Sequence, residues 1–214
     1  MDETALSQDA YMVGFQNVQG RRLLTLSDRA GKPLFVCKKK SLLSTNTQII
    51  AADDLQTVVG SVSHKVAALT YTFVLFDGAD ESKPIGSVKL NYNVSLFNVN
   101  LTEKLTIEDA VGNLLATAEG NVITKEFIIK DSAEGLVAKI SKSYAQAEGN
   151  ALMNFLSQFM KPYSLQILTQ GQISTLLLLE FVVALENIPQ QPSRPAGGVP
   201  FGGPMGGGGL DIKL

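Results

Sequence analysis

The chain has 214 residues, 45% of them hydrophobic and 18% charged, with a net charge of -2. A chain this apolar can bury a core, which excludes disorder of the whole, and 18 Lys and Arg against 20 Asp and Glu give no general field for nucleic acid. The single cysteine, Cys37, has no partner within the chain, so neither an internal disulfide nor a multi-cysteine metal site can form, and a reducing, cytoplasmic setting is expected.

The start, Met1 to Thr4, is acidic and lacks the basic residues and apolar stretch of a signal peptide, and residues 1–10 read as an extension ahead of the main domain. With no secretion expected, the glycosylation-type triplets at Asn93 to Ser95 and Asn100 to Thr102 are read as chance matches. From Tyr11 to Lys142 the chain consists of short β-rich runs separated by turn residues. The clearest are Leu23 to Leu26, Pro33 to Lys38, Gln48 to Ala52, Tyr71 to Phe76, Ile85 to Leu90 and Lys104 to Ile107. Leu114 to Ala118, Phe127 to Lys130 and Val137 to Ser141 follow. About a dozen such runs at this spacing predict a mainly β fold, an antiparallel barrel or sandwich.

One unit recurs: an apolar strand ends in Asp, turns to Gly and re-enters an apolar strand. It appears around Asp28 and Gly31, Asp109 and Gly112, and Asp131 and Gly135. An Asp carboxylate accepts nearby backbone N–H groups at the start of such a turn, and Gly supplies a positive φ at its close, so these acids are read as turn formers and not as metal ligands or catalysts.

Asn150 to Met160 spaces Leu152, Phe155, Leu156 and Phe159 along one helical face, and Pro162 stops it. A strand through Tyr163, Leu165 and Ile167 then leads to Gln172–Ile188, GQISTLLLLEFVVALENI from Gly171 onward. Leu176 to Leu185 is apolar on every side of a helix except at Glu180, so it must be shielded nearly all round. A membrane span needs about 20 apolar residues, and a carboxylate at its centre costs about 2 to 3 kcal/mol, so a helix threaded through a closed barrel is the preferred reading. Gln172 and Ser174 before it, and Glu186 and Asn187 after it, are expected to exit into water. From Pro189 to Leu214 the chain is mostly Gly and Pro with almost no charge, which predicts a flexible tail and a domain boundary near Ile188.

The strand runs closing in LLLLEFVVALEN resemble the Tubby C-terminal-like superfamily, in particular the LURP-one-related proteins and the phospholipid scramblases. FIIKDSAEGLVAKISKSY is similar to their late hairpin, and YSLQILTQGQISTLLLLEFVVALEN to their closing strand, turn and helix. The resemblance implies a barrel of about twelve strands around the helix over residues 11–188, and association with phosphoinositides and anionic lipids. The palmitoylated cysteine cluster and proline-rich N-terminal region of the animal scramblases are absent here, which counts against lipid transport.

Signs of catalysis are sparse, and the chain is expected not to be an enzyme and to need no cofactor. His64, the sole histidine, lies in no Ser-His arrangement and is expected at an exposed strand end. Gly206 to Gly209 sits in the tail and not between a strand and a helix, so it is no nucleotide loop. Asp77 to Glu81 lacks the ligand spacing of a calcium loop and reads as a solvated hairpin.

Positive charge is the remaining lead. Lys38, Lys39 and Lys40 are consecutive, with Lys38 and Lys40 on one side of an extended chain. Lys125, Lys130, Lys139 and Lys142 gather in the late hairpin. Lys38, Lys39, Lys40, Lys139 and Lys142 are the expected lipid-binding residues of a non-catalytic module for anionic membranes. The alternative is a protein-interaction module whose partner docks on the barrel surface and the C-terminal tail; nucleic acid is not an expected partner.

Overall fold

The computed structural model describes residues 3–41, 44–67, 70–91, 103–142 and 162–188. The expected Asn150 to Met160 helix, the tail from Pro189 and both glycosylation-type triplets lie outside those residues. A 3-10 turn at Glu3–Leu6 precedes twelve strands. They are β1 (Ala10–Val18), β2 (Arg21–Ser27), β3 (Pro33–Lys39), β4 (Asn46–Ala51), β5 (Val58–Ala67), β6 (Thr70–Asp77), β7 (Pro84–Asn91), β8 (Glu103–Asp109), β9 (Leu114–Asn121), β10 (Glu126–Asp131), β11 (Leu136–Lys142) and β12 (Tyr163–Ile167). A helix, α1 (Thr175–Asn187), follows.

Each strand pairs antiparallel with its neighbour in sequence, and β1 pairs with β12, Tyr11 opposite Leu165 and Val13 opposite Tyr163, so the sheet closes as an up-and-down barrel. Side chains alternate across a strand, and the inward set is apolar: Phe73 and Leu75 on β6, Leu105 and Ile107 on β8, Phe127 and Ile129 on β10, all buried. The barrel or sandwich choice left open by strand spacing is thus settled as a closed barrel.

A barrel of twelve strands is wider than the eight-stranded size that inward side chains alone can fill, and α1 occupies the difference. Leu177 through Leu185 are buried without interruption, which is why the sequence is apolar on every face. Burial also explains why the helix forms. Thr175, Phe181, Val182 and Val183 are modest helix formers and Ser174 makes no side-chain cap, so the wall must supply what propensity does not. The helix leans on β5 and β7 where side chains are missing. A Cβ on Gly60 would lie 2.6 Å from Oε1 of Glu180 and 2.9 Å from Leu176, and one on Gly86 would lie 2.9 Å from Leu177.

The Asp-led turns form as expected. Asp28 accepts N–H bonds from Ala30 and Lys32, Asp109 from Val111 and Asn113, and Asp131 from Ala133 and Gly135, at 2.8 to 3.0 Å. The glycine rule needs correcting in the third copy. Gly31 (φ 83°) and Gly112 (φ 93°) take the left-handed position, but in the third turn Glu134 takes it at φ 65°, one residue before Gly135. Gly135 is needed for another reason: a Cβ there would come within 2.8 Å of the Asp131 carboxylate.

Two expectations follow. Leu178 is fully buried, and an unpaired ammonium inside the barrel costs several kcal/mol against a total stability of about 5 to 15 kcal/mol, so Leu178→Lys should yield no soluble, cooperatively melting protein. Glu134→Gly should raise stability by about 0.5 to 1 kcal/mol by removing left-handed strain, whereas Gly112→Ala should lower it by a similar amount, as denaturant midpoints will report.

Candidate functional site

Glu180 lies wholly inside the barrel, and neither carboxyl oxygen has a partner in hydrogen-bond geometry. Burial pushes its pKa up to about 9; the backbone of Ser61 and Phe76 tempers the rise, and the Asp77 carboxylate adds to it. At neutral pH it is therefore an uncharged acid, which is how α1 keeps a carboxyl in an apolar interior.

At the C-terminal end of α1 the interior is polar, and its charges are paired. Nζ of Lys125 donates to the Leu185 carbonyl at 2.6 Å and pairs with Oε1 of Glu186 at 3.6 Å, while the Tyr163 hydroxyl donates to the same oxygen at 2.8 Å. A cation on the last carbonyls of a helix complements its dipole. Lys125 reaches this position from the β9–β10 turn with a left-handed backbone, φ 56°. Burial lowers its pKa, against the opposing pull of Glu186 and Glu103. Cys37 lies in the same region, its thiol pushed up to about 12 by burial first and by Glu186 second, so it is no nucleophile at neutral pH.

Several sequence-derived placements change here. Glu186 and Asn187 do not exit into water: Glu186 is held by Lys125 and Tyr163, and Asn187 donates to the Val183 carbonyl and accepts from Thr47. Lys125 is withdrawn from the expected surface cluster, and Lys130 is bound to Glu134 at 3.0 Å. His64 is neither exposed nor at a strand end. It sits within β5 opposite Phe73, its ring stacked between Phe73 and Tyr71 at 4.8 and 5.2 Å between centroids, and burial lowers its pKa.

On the outside of the barrel, a cleft runs over β2, β3 and β4. One lobe, of about 370 Å³, is lined by Arg21, Leu23, Lys38 and Ile50; a second, of about 380 Å³, is lined by Ala5, Leu34, Ala51, Ala52 and the opposed charges Lys32 and Asp53. Val18, Val36 and Leu55 line both, which makes the lobes continuous. The three consecutive lysines part company around this cleft. Lys38 faces it and has no counter-ion among the described residues, whereas Lys40 is bound to Glu81 at 2.7 Å. Lys39, opposite Thr47, alternates to the other side of β3. Lys139 is exposed on β11 opposite Gln166, and Lys142 ends that strand opposite Tyr163. Strands β2, β1 and β12 lie between β3 and β11, a separation of about 19 Å around the wall, so the five lysines form two groups and not one patch.

Arg21 is a cleft residue that sequence reasoning passed over. Its signal was the Arg21-Arg22 pair opening β2; Arg22 lies on the opposite side of that strand, 5.6 Å from the Phe15 ring.

No family model matches the sequence, and no curated protein matches it. Among solved structures, the chain is similar to the X-ray structure of the Arabidopsis thaliana protein AT5G01750, with a TM-score of 0.53 and 11% identity, over 83% of this chain and 90% of that one. At that identity the likeness is one of fold, and it places the chain beside a plant barrel protein. No helix among the described residues is long and apolar enough to cross a membrane.

Glu180 generates a pH prediction. The folded protein holds a proton that the unfolded chain, with an ordinary Glu near 4.5, releases. The associated stability is complete below the ordinary value and is lost as pH rises toward about 9, at up to about 1.4 kcal/mol per pH unit. Glu180→Gln should therefore lose less stability than the parent between about pH 6 and about pH 8.5 in denaturant titrations. Parallel losses in the two proteins would mean that Glu180 is charged in the barrel.

Proposed function

We propose that the protein is a non-catalytic barrel module that binds anionic phospholipid membranes peripherally, on the cytoplasmic side. The observation that carries this reading is the pair Arg21 and Lys38, two cations without counter-ions among the described residues, beside an apolar cleft in a chain whose net charge is -2. Lys39, on the other side of β3, and Lys139 and Lys142 on β11 offer further contacts away from the cleft. The Tubby-like and LURP-one-related resemblance of the late hairpin and helix supports lipid as the ligand class.

Magnitudes define what such binding looks like. Each Lys or Arg near an anionic leaflet contributes about 1 kcal/mol, so Arg21 and Lys38 together give weak, reversible attachment, and the apolar cleft must add to it. Salt weakens the attraction, because the Debye length falls from about 8 Å at physiological strength to about 3 Å at 1 M.

Sedimentation with vesicles containing phosphatidylserine or phosphoinositide tests the proposal. Replacing Arg21 and Lys38 by Ser should reduce binding roughly thirtyfold with an unchanged melting temperature. Lys40→Ser should change it little, since Glu81 already neutralises that charge. Equal sedimentation of parent and double variant, or none of either at low salt, would put the protein-interaction reading ahead.

A further inference from the structure

We propose that the two-lobed cleft over β2, β3 and β4 takes one single-chain phospholipid, its phosphate between Arg21 and Lys38 and its acyl chain in the lobe lined by Leu34, Ala51 and Ala52. The inference rests on the lipid-binding reading above and narrows it from a membrane surface to a single molecule.

The two lobes differ in chemistry as the two ends of such a lipid do. Arg21 and Lys38 are the charged residues of the first, both positive, and an arginine fork with a lysine beside it suits a phosphate bearing more than one charge better than a carboxylate. The second lobe carries one charge of each sign, Lys32 and Asp53, and the remaining lining is apolar apart from backbone. The floor is firm: Val36, which joins the lobes, is 3% exposed and Ile50 in the first lobe is 8% exposed, so the cleft exists before any ligand arrives.

Size selects one chain. Each lobe falls at the small end of the roughly 300 to 1,000 Å³ of small-molecule sites, which leaves the apolar lobe room for a single acyl chain and not for the pair of a diacyl lipid. The barrel is closed, so an extended peptide finds no strand edge here to pair with, and the main route to peptide capture on a sheet is missing.

Titration calorimetry on the full chain, with oleoyl lysophosphatidate kept below its micelle-forming concentration, provides the test. The expected result is one-to-one binding. Arg21→Ser and Lys38→Ser should each weaken it about tenfold or more, as loss of a charged hydrogen bond does. Ala52→Phe should weaken it by filling the apolar lobe, at an unchanged melting temperature, and Leu34→Phe serves if that variant does not fold. Inorganic phosphate should bind far more weakly, because it gains nothing from the second lobe.

Phosphate binding as tightly as the lipid, oleate binding equally well in parent and Arg21→Ser, or no binding of the monomeric lipid would each overturn the inference. Sedimentation with vesicles separates the two levels. Binding to vesicles without binding to the monomer removes the single-molecule site and keeps the membrane module; binding to the monomer without vesicle sedimentation does the reverse.

Discussion

A ring of twelve strands encloses more volume than its own inward side chains fill, and the rest of the molecule answers to that excess. The helix α1 must be apolar on all faces because no face of it meets water. The wall must give way where the helix touches it, which is the role of Gly60 and Gly86. Any polar group carried inside must be neutral or paired, and α1 uses one solution near its middle and the other at its C-terminal end. Glu180 keeps its proton, whereas Glu186 has Lys125 and Tyr163.

Lys125 shows how firmly that second solution is held. It accepts an unfavourable left-handed backbone and partial loss of hydration in order to reach the last carbonyls of α1. Backbone strain at a non-glycine residue persists when the surroundings over-determine it, and here the requirement is a counter-charge for Glu186 at the mouth of an apolar barrel. The interior chemistry is therefore that of a plug.

Much of the architecture was legible in the sequence. The strands that alternate cleanly, such as Phe73 and Leu75 or Leu105 and Ile107, were visible because one face is core and the other solvent. So was α1, because nothing but all-round shielding accounts for Leu176 to Leu185. Strands β1 and β5 were not singled out: Gly14, Gln16 and Asn17 in one, and Gly60, Ser61, Ser63 and His64 in the other, break the apolar alternation. In β5 the break has a cause, since Gly60 yields space to Glu180 and His64 is sheltered by stacking on Phe73 and Tyr71. The cleft was half legible. Lys38 was found as part of a lysine run, but its difference from Lys40 depends on Glu81, which lies 41 residues along the chain, and such pairing leaves no local trace.

The seam of the barrel sets a condition on how the molecule is made. Strand β1 finds its partner only in β12, with ten strands synthesised in between, and the helix that fills the interior comes later still. Until then the inward faces of β1 to β11 have neither closure nor filling, and the edges of the growing sheet stay open to other chains. Long-range pairing of this kind is slow and prone to aggregation. The nascent chain therefore needs protection through nearly all of its synthesis, and the assembly of this barrel is governed by its final strand and helix more than by the hairpins that form first.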